Sequence, residues 1–203
     1  MKIHSAVFEL SAPDLDACPC WALPEFAFIG RSNVGKSSLI NLLAGHRELA
    51  KVSVTPGKTR LINFYVMNDR WSLVDLPGYG YAHAGKKERA AFNAAVAEFL
   101  EQRRNLARVF VLLDSRLPPQ AIDLEFVQWV GRCRAPHVLV FTKADKQSAT
   151  QSQANIALFK ARLAEWRSDV PEIFLSSTRS KNGRTEILGC IEAVLADKNR
   201  AAG

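Results

Sequence analysis

The sequence has no hydrophobic run that approaches the ~18 residues of a membrane-spanning helix. Its longest apolar runs in strand-like stretches are Val109–Leu113 and Val138–Phe141. The N-terminal segment MKIHSAVFEL contains one lysine and no long apolar stretch, which is not the pattern of a secretory signal. The chain also lacks internal repeats and low-complexity segments. We therefore expect a globular, cytoplasmic protein without a membrane span.

Cysteine is scarce, with four among 203 residues. Cys18 and Cys20 flank a proline and resemble half of a metal site, but no second close Cys/His pair stands at metal-ligand spacing. We expect reduced structural thiols, as in most cytosolic proteins. The length is sufficient for a full hydrophobic core, so a disulfide-stapled mini-protein is excluded.

Acidic residues are fewer than basic residues in this sequence. The chain has 20 Asp and Glu against 27 Lys and Arg, a net charge of +7 and a pI near 9.4. Residues 31–70 hold seven basic and two acidic side chains, whereas residues 1–29 hold one basic and four acidic. The excess favours a polyanionic partner such as a nucleotide, a nucleic acid or an anionic membrane surface, although a solubilising surface bias would give the same composition.

Short apolar runs alternate with amphipathic stretches, which is typical of a mostly parallel α/β sheet with helices on both faces. We predict six strands and five helices in one domain over residues 25–196. An irregular lead-in over 1–24 packs on this domain, and a frayed tail covers 197–203. The predicted strands are Phe26–Ile29, Leu61–Met67, Trp71–Val74, Val109–Leu113, Val138–Phe141 and Ile173–Leu175, and the helices are Ser37–Leu43, Lys87–Arg104, Ile122–Trp129, Ala154–Trp166 and Thr185–Leu195.

The segment Gly30–Ser37, GRSNVGKS, matches the phosphate-loop pattern G-x-x-x-x-G-K-[ST] between a predicted strand and a predicted helix. Its glycines permit backbone turns that aim successive N–H groups at phosphate oxygens, and the helix start adds its positive dipole end. Lys36 is predicted to reach the β- and γ-phosphates, and the Ser37 hydroxyl to bind Mg²⁺. A chance Gly-rich turn is the alternative.

The segment Asp75–Gly78, DLPG, follows the strand Trp71–Val74. Asp75 stands where a carboxylate holds the Mg²⁺ shell, and the Gly78 backbone N–H can meet a γ-phosphate. Taken alone, the four residues are also compatible with a simple turn.

The segment Thr142–Asp145, TKAD, follows the strand Val138–Phe141. A carboxylate at Asp145 can accept hydrogen bonds from guanine N1 and N2, which adenine does not offer, so it would make a purine site guanine-selective. The Lys143 stem can pack on the base or support the phosphate loop. A helix N-cap is the alternative reading of these residues.

Two further segments complete the set. Residues 55–59, TPGKT, precede the second predicted strand, and Thr59 can enter as a Mg²⁺ ligand when a γ-phosphate is present. Residues 176–178, SST, follow the last strand, where backbone N–H groups can meet guanine O6; a cap or turn role is nearly as compatible.

These segments occur in the order GRSNVGKS, TPGKTRLINFY, DLPGYGYA, LLDSRLPP, TKAD and FLSS, and together they resemble the EngB (YihA/YsxC) family of bacterial GTP-binding proteins, in the Era/TrmE-like branch of P-loop GTPases. The resemblance runs from about Val7 to Leu195. It implies a Ras-like GTPase fold, bound GTP or GDP with Mg²⁺, weak GTP hydrolysis, and a role in large ribosomal subunit assembly with an effect on cell division and septation.

The resemblance assigns nucleotide contacts residue by residue. Lys36, Thr59 and Gly78 would serve catalysis, and Ser37 and Thr59 would bind the metal. The full set of expected nucleotide-binding residues is Gly30, Arg31, Ser32, Asn33, Val34, Gly35, Lys36, Ser37, Gly57, Lys58, Thr59, Arg60, Leu61, Asp75, Leu76, Pro77, Gly78, Thr142, Lys143, Ala144, Asp145, Leu175, Ser176 and Ser177.

Four positions refine this expectation. Thr142 stands where many GTPases carry Asn, which predicts a looser link between this loop and the phosphate loop. Tyr79 stands where Ras-type enzymes carry a water-orienting Gln, which predicts slow hydrolysis. Arg31 is expected to face solvent or a partner rather than to act as an arginine finger. Asn33 stands where cation-dependent relatives carry an Asn that ligates K⁺.

The leading functional hypothesis is a monomeric GTPase switch that binds the large ribosomal subunit or rRNA. The first alternative is a GTP-dependent binding module at the division site without significant turnover. A P-loop phosphotransferase is the second alternative; it has no use for a TKAD loop and would need a lid with clustered arginines.

Overall fold

A computed structural model of the chain describes residues 1–46, 48–50, 61–80, 86–133, 136–166 and 169–201. The strands in these ranges are β1 (Ala6–Ala12), β2 (Glu25–Gly30), β3 (Ile62–Met67), β4 (Trp71–Asp75), β5 (Leu106–Asp114), β6 (His137–Thr142) and β7 (Ile173–Leu175). The helices are α1 (Lys36–Ala44), α2 (Lys86–Gln102), α3 (Ala121–Val130), α4 (Ala149–Ala164) and α5 (Arg184–Ala201), with a 3₁₀ turn at Ala144–Lys146.

The strands form one sheet in the order β1-β3-β4-β2-β5-β6-β7. The pairs β1–β3 and β3–β4 are antiparallel, and the pairs from β4 through β7 are parallel. Every residue of β2 and β4 is buried, because a central strand with helices on both sides has no solvent-facing side. The α/β class and the mostly parallel sheet are confirmed.

Alternate side chains of β2 enter two separate core layers. Phe26 and Phe28 pack in the layer that contains α1 and α5, and Phe28 stacks on Phe110 with ring centroids 4.6 Å apart. Ala27 and Ile29 face the opposite layer, to which α2, α3 and α4 contribute apolar side chains. Helices therefore cover both faces of the sheet.

The described part of the chain contains seven strands, so the prediction of six was wrong. The extra strand, β1, lies in the lead-in that was expected to be irregular, and it pairs with β3 at the sheet edge. Its register shifts between Phe8 and Leu10, and Val7 and Phe8 are both half exposed, so no clean alternation of apolar and polar residues is present. Backbone pairing holds this strand together with the burial of Ala12 and the partial burial of Ala6 and Leu10. Asn68 Oδ1 also accepts hydrogen bonds from the backbone N–H groups of His4 and Ser5.

The predicted frayed tail is also corrected, because α5 continues through Ala201. No glycine or proline interrupts residues 190–201, and Lys198 and Arg200 in the last turn favour the negative end of the helix dipole. The other element boundaries differ from prediction by a few residues; the largest shift is at α4, which begins at Ala149 rather than Ala154.

All four cysteines are free thiols, as expected. No helix in the described ranges is both long enough and apolar enough to cross a membrane.

The parallel strands all end at the same edge of the sheet. The segments predicted to bind nucleotide follow β2, β4, β6 and β7 at that edge, which is where open α/β sheets bind ligands.

Candidate functional site

The phosphate-loop segment Gly30–Ser37 connects β2 to α1. Gly35 caps the helix with a φ of 106°, in the left-handed region where a side chain is strained. Because glycine has no side chain to cap the helix, the N–H groups of the first turn remain for an anion. Ser32 Oγ is buried and has no hydrogen-bond partner among the residues that the structure describes. This loop therefore has the donors that a bound phosphate needs.

Lys36 and Asp75 meet beneath this loop. Both are buried, with 9% and 3% exposure, and Lys36 Nζ contacts Asp75 Oδ1. Burial lowers the pKa of Lys36, whereas the neighbouring carboxylate favours its charged form. Phosphate oxygens bound beside Lys36 would stabilise its ammonium group. The Asp75 carboxylate would then be free to interact with the coordination shell of a metal ion.

Oxygen atoms are the ligands that Mg²⁺ prefers, and the Ser37 hydroxyl and the Asp75 carboxylate are of this kind. The described residues contain no cluster of three or more His, Cys, Asp or Glu side chains that could hold a metal by itself. A hydroxyl, a carboxylate and nucleotide phosphates together fit the expected ion.

The segment after β4 packs against the phosphate loop. A Cβ added at Gly78 would lie 2.6 Å from the Gly30 carbonyl oxygen, so this close approach requires glycine. The backbones of Tyr79 and Arg31 form an isolated parallel bridge. The segment 75–78 is thus adjacent to the phosphate loop, as the γ-phosphate contact of Gly78 would need.

Arg31 was expected to face solvent or a partner, and the solvent alternative is corrected, because its side chain is only partly exposed and pairs with a carboxylate of the same chain. Its Nε lies 2.9 Å from Asp123 Oδ1 on α3, and the Tyr79 hydroxyl donates to the same oxygen at 2.9 Å. Sequence reasoning missed Asp123. A signal was present: Asp123 shares the buried face of α3 with Val127 and Val130, and an acidic residue on an apolar stripe needs a partner.

Thr142 connects the base loop to the phosphate loop. Its Oγ1 lies 2.6 Å from the Val34 carbonyl oxygen and 3.1 Å from the Leu113 carbonyl oxygen. The expectation that Thr at this position loosens the link was therefore wrong. The threonine side chain is shorter than that of asparagine, but β6 ends close enough to the phosphate loop for the Thr142 hydroxyl to donate directly to the Val34 carbonyl oxygen.

Lys143 makes a second connection between the two loops. Its Nζ donates to the Asn33 carbonyl oxygen at 2.6 Å and to Asp114 Oδ2 at 2.8 Å. Lys143 and Asn33 both have left-handed backbones, with φ of 61° and 63°, a strained conformation that is common at functional sites. The support of the phosphate loop by Lys143 was one of two predicted roles, and this geometry favours it.

Asp114 of the LLDSR segment holds Lys143 in place, a role that the sequence did not reveal. Arg116 donates to both of its carboxylate oxygens, at 2.9 and 2.7 Å. Burial alone would raise the pKa of Asp114, but the hydrogen bonds from Arg116 and Lys143 lower it to about 2. The carboxylate is therefore charged at neutral pH and keeps Lys143 beside the phosphate loop.

Asp145 is held by the last loop of the site. The Ser177 hydroxyl donates to Asp145 Oδ1 at 2.8 Å and lowers the pKa of this carboxyl. The Ala144 N–H donates to the Ser176 carbonyl oxygen at 3.2 Å, which joins the two loops through their backbones. The predicted base-binding residues Thr142–Asp145 and Leu175–Ser177 are thus brought together.

Four residues of the predicted site lie outside the described residues: Gly57, Lys58, Thr59 and Arg60. Thr59 among them is the second expected metal ligand. Leu61 is described; it is 40% exposed and directly precedes β3.

We expect that Thr142→Val lowers the free energy of unfolding by about 1–3 kcal/mol, because the buried carbonyl oxygen of Val34 loses its donor. Urea unfolding in the absence of nucleotide measures the effect. Thr142→Ser is the matched control, since it retains the hydroxyl and loses only a methyl group. A valine variant as stable as the wild type would show that this hydrogen bond does not join the loops.

Comparison with known proteins adds to this geometry. A family model described as 50S ribosome-binding GTPase matches residues 25–143. The probable GTP-binding protein EngB of Bacteroides fragilis is 45% identical over 199 residues, which are 98% of this chain and 99% of that protein. The protein of the same name from Christiangramia forsetii is 47% identical over 194 residues, covering 96% of this chain and 98% of the relative.

Among solved structures, a crystal structure of a probable GTP-binding protein engB matches with a TM-score of 0.69 at 22% identity. The match covers 85% of this chain and 99% of that chain. At this level of identity the likeness shows a common fold, here the Ras-like P-loop GTPase fold that the sequence motifs predict.

Proposed function

This chain belongs to the EngB family of GTP-binding proteins, and from that premise we propose that it is a slow, Mg²⁺-dependent GTPase that acts as a switch in large ribosomal subunit assembly. The observation that carries the proposal is the convergence of four motif segments at the carboxyl edge of one sheet. Asp145 would select guanine there, and the phosphate loop with Lys36 would hold the phosphates. In the cell, this switch would act in the cytoplasm and would be needed for normal division and septation.

Ser37 and Thr59 would hold Mg²⁺, with Asp75 in its outer shell. When bound, this ion neutralises charge that develops on the β- and γ-phosphates. Asn33 is the residue proposed for K⁺, and its exposed position in the phosphate loop leaves its side chain accessible to an ion. Lys36 would move from its contact with Asp75 to the phosphates, because the phosphates carry more negative charge.

Hydrolysis is proposed to be slow because Tyr79 stands where Ras-type enzymes carry a water-orienting Gln. Tyr79 follows Gly78 directly, but its hydroxyl is 2.9 Å from Asp123 and its side chain is buried. Because the Tyr79 side chain is buried against α3 and lacks the amide that orients water in Ras-type enzymes, faster turnover would need a partner. Such dependence on a partner suits a switch better than a metabolic enzyme.

The proposed partner is the large ribosomal subunit, supported by the family and by the positive charge of residues 31–70. Binding should be tighter with a GTP analogue than with GDP, because the segments near the γ-phosphate would change order with the nucleotide. Binding should also weaken as salt rises, because each phosphate contact releases counterions. Cosedimentation with purified subunits over a range of KCl concentrations measures both effects.

A matched pair of variants tests whether this charge is used. Replacing Lys51 and Arg70 with alanine should flatten the dependence of log K on log salt by about one to two units. Lys51 lies outside the described residues, and Arg70 is in the exposed turn between β3 and β4. The control replaces Lys198 and Arg200, two basic residues in the last turn of α5, and should leave the slope unchanged. If binding does not depend on the nucleotide or on the salt concentration, or if no binding is observed, the hypothesis of a ribosomal switch is wrong and the division-site binding module is favoured.

A further inference from the structure

Three elements of the protein meet at one carboxylate oxygen. Asp123 is in the first turn of α3. Its Oδ1 accepts a hydrogen bond from the Tyr79 hydroxyl and forms an ion pair with Arg31 Nε, each at 2.9 Å. Arg31 belongs to the phosphate loop, and Tyr79 directly follows Gly78. The carboxylate therefore links the phosphate loop, the segment after β4 and α3.

This carboxylate is deeply buried, with Asp123 only 4% exposed and Tyr79 only 7% exposed. Burial of a charged group is costly unless the group is paired and hydrogen-bonded. Arg31 supplies the opposite charge, and the N-terminal turn of a helix favours a negative side chain. An apolar residue would cover the same surface without this cost, so packing alone does not explain the aspartate.

The segment that Asp123 holds has little freedom. The Tyr79 ring stacks on Phe126 of α3, with centroids 4.0 Å apart and planes 14° apart. Gly80 has a φ of 79°, and a Cβ there would lie 3.0 Å from Ile122 Cδ1. On the other side, a Cβ at Gly78 would lie 2.6 Å from the Gly30 carbonyl oxygen. Residues 78–80 are therefore fitted between the phosphate loop and α3.

We propose that Asp123 is a positioning residue: it anchors Tyr79 on α3 and so holds the backbone of Gly78 against the phosphate loop, where its N–H meets a γ-phosphate. This inference rests on the proposed function, in which the Gly78 N–H is one of the contacts made to GTP and not to GDP. The anchor acts on the γ-phosphate contact and leaves the contacts to guanine and to the other phosphates intact. Its loss should therefore weaken binding of the triphosphate and spare the diphosphate.

The Tyr79→Phe variant tests the anchor because it removes the hydroxyl and retains the ring that stacks on Phe126. Dissociation constants are measured by titration calorimetry for guanosine 5′-(βγ-imido)triphosphate and for GDP, on the full chain with Mg²⁺. We expect the triphosphate analogue to bind about tenfold more weakly and GDP to stay within about twofold. Tyr65→Phe is the matched control, since Tyr65 is also buried but packs in the opposite core layer, and it should change neither constant.

A purely structural role of Asp123 gives a different result. Loss of the hydrogen bond would then lower the unfolding free energy, and the ratio of the two dissociation constants would stay at its wild-type value. An unchanged ratio, or tighter binding of the analogue, would overturn the inference while the proposed function stands. A wild-type protein that binds neither nucleotide would overturn both.

A second variant tests whether the loss of triphosphate affinity comes from the broken contact with Asp123 rather than from the phenylalanine itself. Asp123→Asn retains an oxygen acceptor of the same size but removes the charge that pairs with Arg31. We expect the same selective loss of triphosphate affinity. The double variant Tyr79→Phe/Asp123→Asn should lose less than the product of the two single losses, because both changes break the same link. Losses that multiply fully would show that the two residues act independently and would overturn the inference.

Discussion

Asp145→Asn is expected to lower the affinity for GTP and GDP by roughly 100-fold to 1,000-fold. The carboxylate would accept two N–H donors from guanine, and an asparagine side chain presents a donor to one of them. A site built around such a pair strongly rejects a mismatched group, because buried donors are left unpaired. Fluorescence titration with a labelled guanine nucleotide measures the loss.

The same variant should gain affinity for xanthosine nucleotides. Xanthine carries a 2-oxo group in place of the 2-amino group, so it can accept the hydrogen bond that the asparagine N–H donates. The change should not disturb the fold, because the Ser177 hydroxyl can donate to the amide oxygen as it does to the carboxylate. Asp197→Asn, at an exposed aspartate of α5, is the control for the loss of one negative charge. Unchanged GTP affinity in Asp145→Asn would remove Asp145 from the site.

Lys36→Met should have the second large effect, a loss of nucleotide affinity of roughly 1,000-fold, because the ammonium is the buried cation that faces the phosphates. The methionine retains most of the aliphatic stem, so the change removes charge with little loss of volume. The variant should also be less stable by about 3 kcal/mol, since Asp75 then remains buried without its cation. Calorimetric titration and urea unfolding measure the two effects.

The double variant Lys36→Met/Asp75→Asn separates these two effects. Neutralising Asp75 removes the uncompensated charge, so stability should return toward the wild-type value. Nucleotide binding should not return, because neither substitution restores a cation for the phosphates. Recovery of binding in the double variant would mean that Lys36 serves only to neutralise Asp75. Wild-type affinity in the single variant would exclude the lysine from phosphate binding altogether.

The motif segments could be located from the sequence because each depends on local chemistry. Gly35 must adopt a left-handed backbone, and Gly78 must allow a carbonyl oxygen within 2.6 Å of its missing Cβ. Such requirements limit the residue type at one position, whatever the rest of the chain does. The strands β2, β5 and β6 were equally visible, since a strand buried on both faces is continuously apolar.

The edge strand β1 could not be found in this way. Its partner is β3, about 50 to 60 residues away in the chain, and the backbone hydrogen bonds that pair the two strands do not depend on residue type. The bulge near Phe8 also breaks the side-chain alternation that would mark a half-buried strand.

The sequence alone determined the α/β class, the order of the nucleotide-binding segments and the family resemblance, because these depend on residue types at short spacing. Only the tertiary structure decided which polar groups pair. The Thr142 hydroxyl contacts the Val34 carbonyl oxygen, Lys143 contacts Asn33 and Asp114, and Arg31 and Tyr79 share Asp123. The hydrogen-bonded residues among these are 29 to 110 positions apart in the chain. A single lysine or aspartate is compatible with many partners, and the choice among them depends on which strand ends and helix faces the folded sheet brings within about 3 Å.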